Sequence, residues 1–134
     1  MTDFQFRQDF KVRDYECDFQ SIVNNAVYQH YLEHSRHKFL KQRGIILSSL
    51  GKRGINLVVV RAEIDYLYPL RSGDKFIVGL NLERFSRLRY RFFQDIYRLP
   101  DNRPILESRI ICASVDKSGK PFLPIELEEM MESL

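Results

Sequence analysis

A chain of 134 residues holds one domain with a real core and leaves no room for two. Charged residues at 29% and hydrophobic ones at 44% give the balance of a soluble globular protein, and a formal net charge of +3 is too small to signal nucleic-acid binding by itself. Cys17 and Cys112 form neither a CxxC pair nor a zinc spacing, so they read as reduced thiols in a cytoplasmic protein.

The N-terminal stretch MTDFQFRQDF lacks the charged-then-apolar layout of a signal peptide, and no apolar run approaches a membrane span. No membrane partner is expected. Phe4, Phe6, Phe10 and Val12 recur at every second position apart from Gln8, which predicts a strand over residues 4–13. A polar loop holding Asp18 follows. Asn24 and Asn25 then stand where an N-cap belongs, and Val27 or Tyr28, Tyr31, Leu32, Ser35 and Phe39 recur at helical steps up to the stop at Gly44.

Residues 45–54, with Ser and two glycines, read as a loop or frayed turn and a mobile edge of a pocket. Residues 55–68 are apolar on both parities, which predicts a long central strand covered on both sides. The chain turns at Pro69 and again through Arg71–Asp74. Strands follow over residues 76–82, 88–96 and 105–115, with turns at 99–104 and 116–119 and a short terminal helix over 125–134. The sum is a single α+β domain, 1–134, with an antiparallel sheet wrapped around one long helix.

A carboxylate beside a helix start has chemical content. The first-turn N–H groups and the partial positive charge of the helix favour an oxyanion, while the acid serves as base or nucleophile. An acid before a helix is also commonly an ordinary loop or capping residue, and spacing alone favours that plainer role.

His30, Glu33 and His34 fit the pattern HxxEH, with His37 extending the row. At about 100° per residue these histidines lie off the apolar stripe and face solvent, so a solvated polar face outweighs zinc and no metal is expected. Arg87, Arg89 and Arg91 alternate with Leu88, Tyr90 and Phe92, and Arg84 is near. Such a row serves as a solvated, salt-bridged edge or as a clamp for phosphates. RNA stacking is disfavoured because the rings fall on the other parity. There is no GxSxG elbow, phosphate loop or dinucleotide fingerprint, and no His shares the polar loop with Cys17 to activate it.

The run Asp18-Phe-Gln-Ser-Ile-Val-Asn-Asn-Ala-Val-Tyr28, followed by Tyr31, Leu32, Glu33 and Arg36, resembles the signature of the hotdog-fold acyl thioesterases, the 4-hydroxybenzoyl-CoA and acyl-ACP thioesterase group. Tyr68–Asp74 and Asp116–Pro124 are similar to that family's second half. The resemblance implies an acyl-CoA thioesterase without metal or cofactor, with Asp18 as nucleophile or general base and the amide of Asn25, beside Asn24, contacting the thioester carbonyl. Substrate contacts are expected from Asn24, Tyr28, Arg87 and Arg89, with Tyr31 and Val58 as further walls of an acyl tunnel. It also implies a homodimer or homotetramer that pairs its sheets. The alternatives are an acyl-ACP thioesterase and a non-catalytic acyl-CoA-binding protein. The chain departs from the family where a small residue often follows the acid, here Phe19, and where the acyl-ACP branch has Asn and His, here Gln20 and Ile22.

Overall fold

In a computed structural model the described residues are 3–134; Met1 and Thr2, the start of the polar N-terminal stretch, lie outside them. The elements are β1 (Phe6–Lys11), α1 (Asn25–Gln42), α2 (Leu47–Lys52), β2 (Asn56–Tyr66), β3 (Lys75–Arg84), β4 (Arg89–Leu99), β5 (Arg103–Val115) and α3 (Ile125–Glu132). The strands form one antiparallel sheet in the order β1-β3-β4-β5-β2.

Alternation explains which face is buried. On β4, Tyr90, Phe92, Gln94 and Ile96 point one way and are buried, as are Val78, Leu80 and Leu82 on β3 and Leu106, Ile110 and Cys112 on β5. That face receives Leu32, Phe39 and Leu40 of α1. Ser35, also on the buried stripe, is small enough for close approach and donates its hydroxyl back to Tyr31 O at 2.8 Å. The sheet therefore wraps one long helix, the architecture the resemblance implies.

The outer elements close the ends of this core. Gly44, at φ +86°, ends α1 in the left-handed region. Residues 47–52 form α2 instead of the expected loop, because Leu50 is buried in the core together with Ile45 and Ile55. In α3, Leu127 and Met130 join the core. Its acids pair outward, Glu126 with Arg53 and Glu128 with Arg84.

The largest difference from expectation is β2. It is an edge strand, and Val58, Val59 and Val60 are 36%, 49% and 44% exposed. The apolar residues on both parities have a local cause: the register with β5 slips between Val59 and Arg61. A bulge at Val60 therefore turns Leu57 and Val59 on one side of it, and Ala62 and Ile64 on the other, toward the helix face. The other sheet edge, β1, is short and bears Arg7, Asp9 and Lys11, which guard it against further pairing. The edge of β2 has 11 residues and a bare valine run.

Candidate active site

The Asp18 loop is pinned at several points. A short 3-10 turn, Asp14–Glu16, leads in, and Glu16 Oε1 accepts from Arg13 N at 2.8 Å and from the Tyr31 hydroxyl at 2.9 Å. Cys17 then bridges antiparallel to Val23 while Asp18 N donates to Ile22 O at 2.9 Å. The reversal requires Ser21 at φ +65°, and Asp18 Oδ1 accepts from Gln20 N at 2.8 Å inside it. Oδ2 has no hydrogen-bond partner among the described residues.

This reversal sets Asp18 beside the residues that enter α1. Asn24 is the N-cap, its Oδ1 accepting from Ala26 N at 2.9 Å. Asn25 is the first helical residue, and its N–H has no acceptor among the described residues. An acid with one free oxygen thus stands within a few residues of an unspent helix N-terminal amide.

The base under the loop is the segment after Pro69. Ile22 bridges to Arg71, Val23 N donates to Leu70 O at 2.9 Å, and Leu70 N donates to the Tyr28 hydroxyl at 2.9 Å. Tyr28 is only 3% exposed in the single chain, and its hydroxyl positions the Leu70 segment. Burial, first of all, raises its phenol above the ordinary value. Tyr31 is likewise buried, and burial and its bond to Glu16 push its phenol far up.

Arg87 and Arg89 are not brought to Asp18 within one chain. They lie at the β3–β4 hairpin, while Val12 N bonds Asp74 O at the opposite end of β3, roughly 30 Å away for ten residues of strand. Arg84 and Arg91 are taken up by Glu128 and Glu83, and Arg91 also lies 4.9 and 5.0 Å from the ring centres of Phe85 and Phe93. Arg87 and Arg89 are exposed and carry no ion pair among the described residues.

Two cavities the sequence did not disclose run side by side between α1 and β2. One, of about 330 Å³, has Leu57, Val58, Tyr90 and Phe92 in its wall; the other, of about 360 Å³, has Gln29, Ala62, Ile64 and Ile110. Glu33, Arg36 and Val59 line both. The signal that was available is Arg36 itself, four residues after Leu32 and so on the buried side of the helix. A larger, polar cleft of about 830 Å³ lies on the other flank of α1, between β1, His30, His34 and the Asp14–Glu16 turn.

His30, His34 and His37 are exposed, and His34 packs its ring 5.6 Å from Phe10. Among the described residues no three of the His, Cys, Asp or Glu side chains gather as a metal site. Burial, with Asp14 nearby, raises the Cys17 thiol, and burial pushes Cys112 up to about 11; both are free thiols in the form that does not attack carbonyls.

A family model described as the thioesterase-like superfamily matches residues 12–134. The chain is 41% identical over 113 residues to the chloroplastic acyl-acyl carrier protein thioesterase ATL3 of Arabidopsis thaliana, covering 84% of this chain and 60% of that protein. It is 26% identical over 126 residues to the long-chain acyl-CoA thioesterase FadM of Escherichia coli, covering 92% and 95% of the two. In structure it superposes on a 1,4-dihydroxy-2-naphthoyl-CoA thioesterase from Synechocystis with a TM-score of 0.91, at 18% identity and over 96% of each chain.

Proposed function

The chain belongs to the thioesterase-like superfamily, and on that premise we propose that it hydrolyses an acyl-CoA thioester to the free acid and CoA, with its own side chains and no metal or cofactor. The observation that carries this reading is the Asp18 turn held against the start of α1, where the Asn25 N–H is free. In the reaction, water adds to the thioester carbon as Asp18 takes its proton, or Asp18 itself adds and water later releases the acid. The negative charge that builds on the carbonyl oxygen is stabilised by the Asn25 N–H, with Asn24 holding the first turn in shape. Collapse breaks the C–S bond, and the CoA thiolate leaves and is protonated. One such oxyanion donor is worth about 3–4 kcal/mol of barrier in other acyl-transfer enzymes.

The working unit in this reading is a homodimer, or a homotetramer built from two such dimers. What supports it is the β2 edge, long and apolar, which pairs most simply with its own copy. Antiparallel pairing of two β2 edges carries the Arg87 and Arg89 hairpin of one chain to the same end of the joined sheet as the Asp18 loop of the other. The arginines then stand where the nucleotide phosphates of CoA would be held. The α1–β2 cavities, with Val58 in one wall, are the space for the acyl chain. A reducing, cytosolic setting suits the two free thiols.

An acyl carrier protein is the second reading of the thiol side. It is favoured by the 41% identity to the plant acyl-acyl carrier protein thioesterase, of whose length this chain spans 60%. Thiol release from matched acyl-CoA and acyl-ACP panels tests both. Turnover on acyl-CoA supports the first, turnover on acyl-ACP alone supports the second, and binding without release leaves an acyl-binding protein.

A further inference from the structure

The groove between α1 and β2 holds a buried charge that has no ion-pair partner among the described residues of one chain. Arg36 is only 9% exposed, its Nη1 donates to Gln94 Oε1 at 3.0 Å, and its guanidinium carbon lies 6.0 Å from the centre of the Phe92 ring. Gln94 is itself fixed, donating to Leu32 O at 2.8 Å and accepting at its own carbonyl from the Ser108 hydroxyl at 2.8 Å. Among the described residues no carboxylate pairs with Arg36. Burial lowers the guanidinium's proton affinity, and the field of Glu33, too far away for an ion pair, opposes that only in part.

An acid is close in sequence and free. Glu33 is exposed, lines both cavities with Arg36 and has no ion pair among the described residues. Held to Gln94, Arg36 does not turn back to it. Both residues stand across the groove from Val59, next to the bulge at Val60 and the midpoint of β2 at Arg61. A two-fold axis through the middle of paired β2 strands maps this stretch of α1 onto its own copy. One acid and one base a turn apart are self-complementary under that operation.

We propose that α1 of a second copy closes this groove, with Arg36 paired to the partner's Glu33 and Glu33 paired to the partner's Arg36. The inference rests on the sheet-paired dimer of the proposed function and adds the two reciprocal ion pairs that fix its register. In the assembled pair each guanidinium has an aromatic ring, an amide oxygen and a carboxylate around it, and the groove becomes an enclosed channel.

Sedimentation equilibrium of the full chain tests this, comparing wild type with Glu33→Lys, with Glu33→Lys/Arg36→Glu, and with Glu129→Lys as a charge control on exposed α3. Glu33 is on the surface of a single chain, so Glu33→Lys folds. The expected results are a dimer dissociation constant raised at least tenfold by Glu33→Lys, little change with Glu129→Lys, and recovery in the charge-swapped double variant. Should the double variant not fold, the contrast between the two single variants decides. A wild-type dimer that Glu33→Lys leaves intact, or that Glu129→Lys weakens equally, overturns the ion pairs alone. A wild-type monomer overturns the sheet pairing and the ion pairs together.

Discussion

The Tyr28 hydroxyl accepts the Leu70 N–H at 2.9 Å in the core, and through that bond α1 holds the connecting segment on which the Asp18 turn rests. Leu70 O in turn accepts from Val23 N at 2.9 Å. Tyr28→Phe leaves the Leu70 N–H buried without an acceptor, at a cost of about 1–3 kcal/mol. The expected result is a lower melting temperature together with a lower kcat and a nearly unchanged KM, because the reacting groups are displaced and not removed. Melting curves and steady-state rates check it; wild-type values for both would detach Tyr28 from the site.

Asn24→Ala removes the cap on Ala26 N and exposes the first turn of α1 to fraying, at about 1 kcal/mol of stability. Asn24→Asp keeps an accepting oxygen and restores that stability. Chemical denaturation followed by circular dichroism measures both. Activity should follow the same order, since the Asn25 amide is fixed only while the first turn is formed.

Arg87→Ala/Arg89→Ala tests the phosphate clamp. Both side chains are exposed and unpaired among the described residues, so the fold is expected to survive. If they hold CoA phosphates, KM for acyl-CoA rises about tenfold with kcat little changed, and the rise shrinks in high salt. A KM that stays put removes the arginines from the substrate site.

Asp95 and Glu107 stand directly opposite on β4 and β5, two like charges on the outer face of the sheet. Burial, and after it Glu107, raises the Asp95 carboxyl above its usual value. A raised acid binds more protons folded than unfolded, so this pair weakens the fold as pH rises through the carboxylate range. Asp95→Asn is expected to stabilise the protein at neutral pH by about 0.5 kcal/mol, with the gain vanishing below the usual carboxylate range. Melting temperatures across pH 3–8 would show it; a gain that persists in acid would contradict the assignment.

Much of this was legible because it is local. Period-two runs such as Phe76, Val78, Leu80 and Leu82 bury one face, and Asn24 caps the helix that the three- and four-residue steps announce. The Asp18 reversal could be placed beside the helix because both ends of it fall within a few residues. What escaped depends on distant partners. The bulge at Val60 mimics a strand covered on both sides, Leu50 turns a polar stretch into a helix by burying one residue, and Tyr28 is a tether only because Leu70 folds back over it. Arg87 and Arg89 sit at the far end of β3 from Asp18, a separation set by strand order and not by any motif.

The role of Asp18 in thioester hydrolysis is tested by CoA release from short, medium, long and aromatic acyl-CoAs by wild type and Asp18→Asn side by side. With Asp18 acting as base or nucleophile, wild type turns over and the variant falls about 10²–10⁴-fold at an unchanged melting temperature. Turnover untouched by Asp18→Asn would contradict that role.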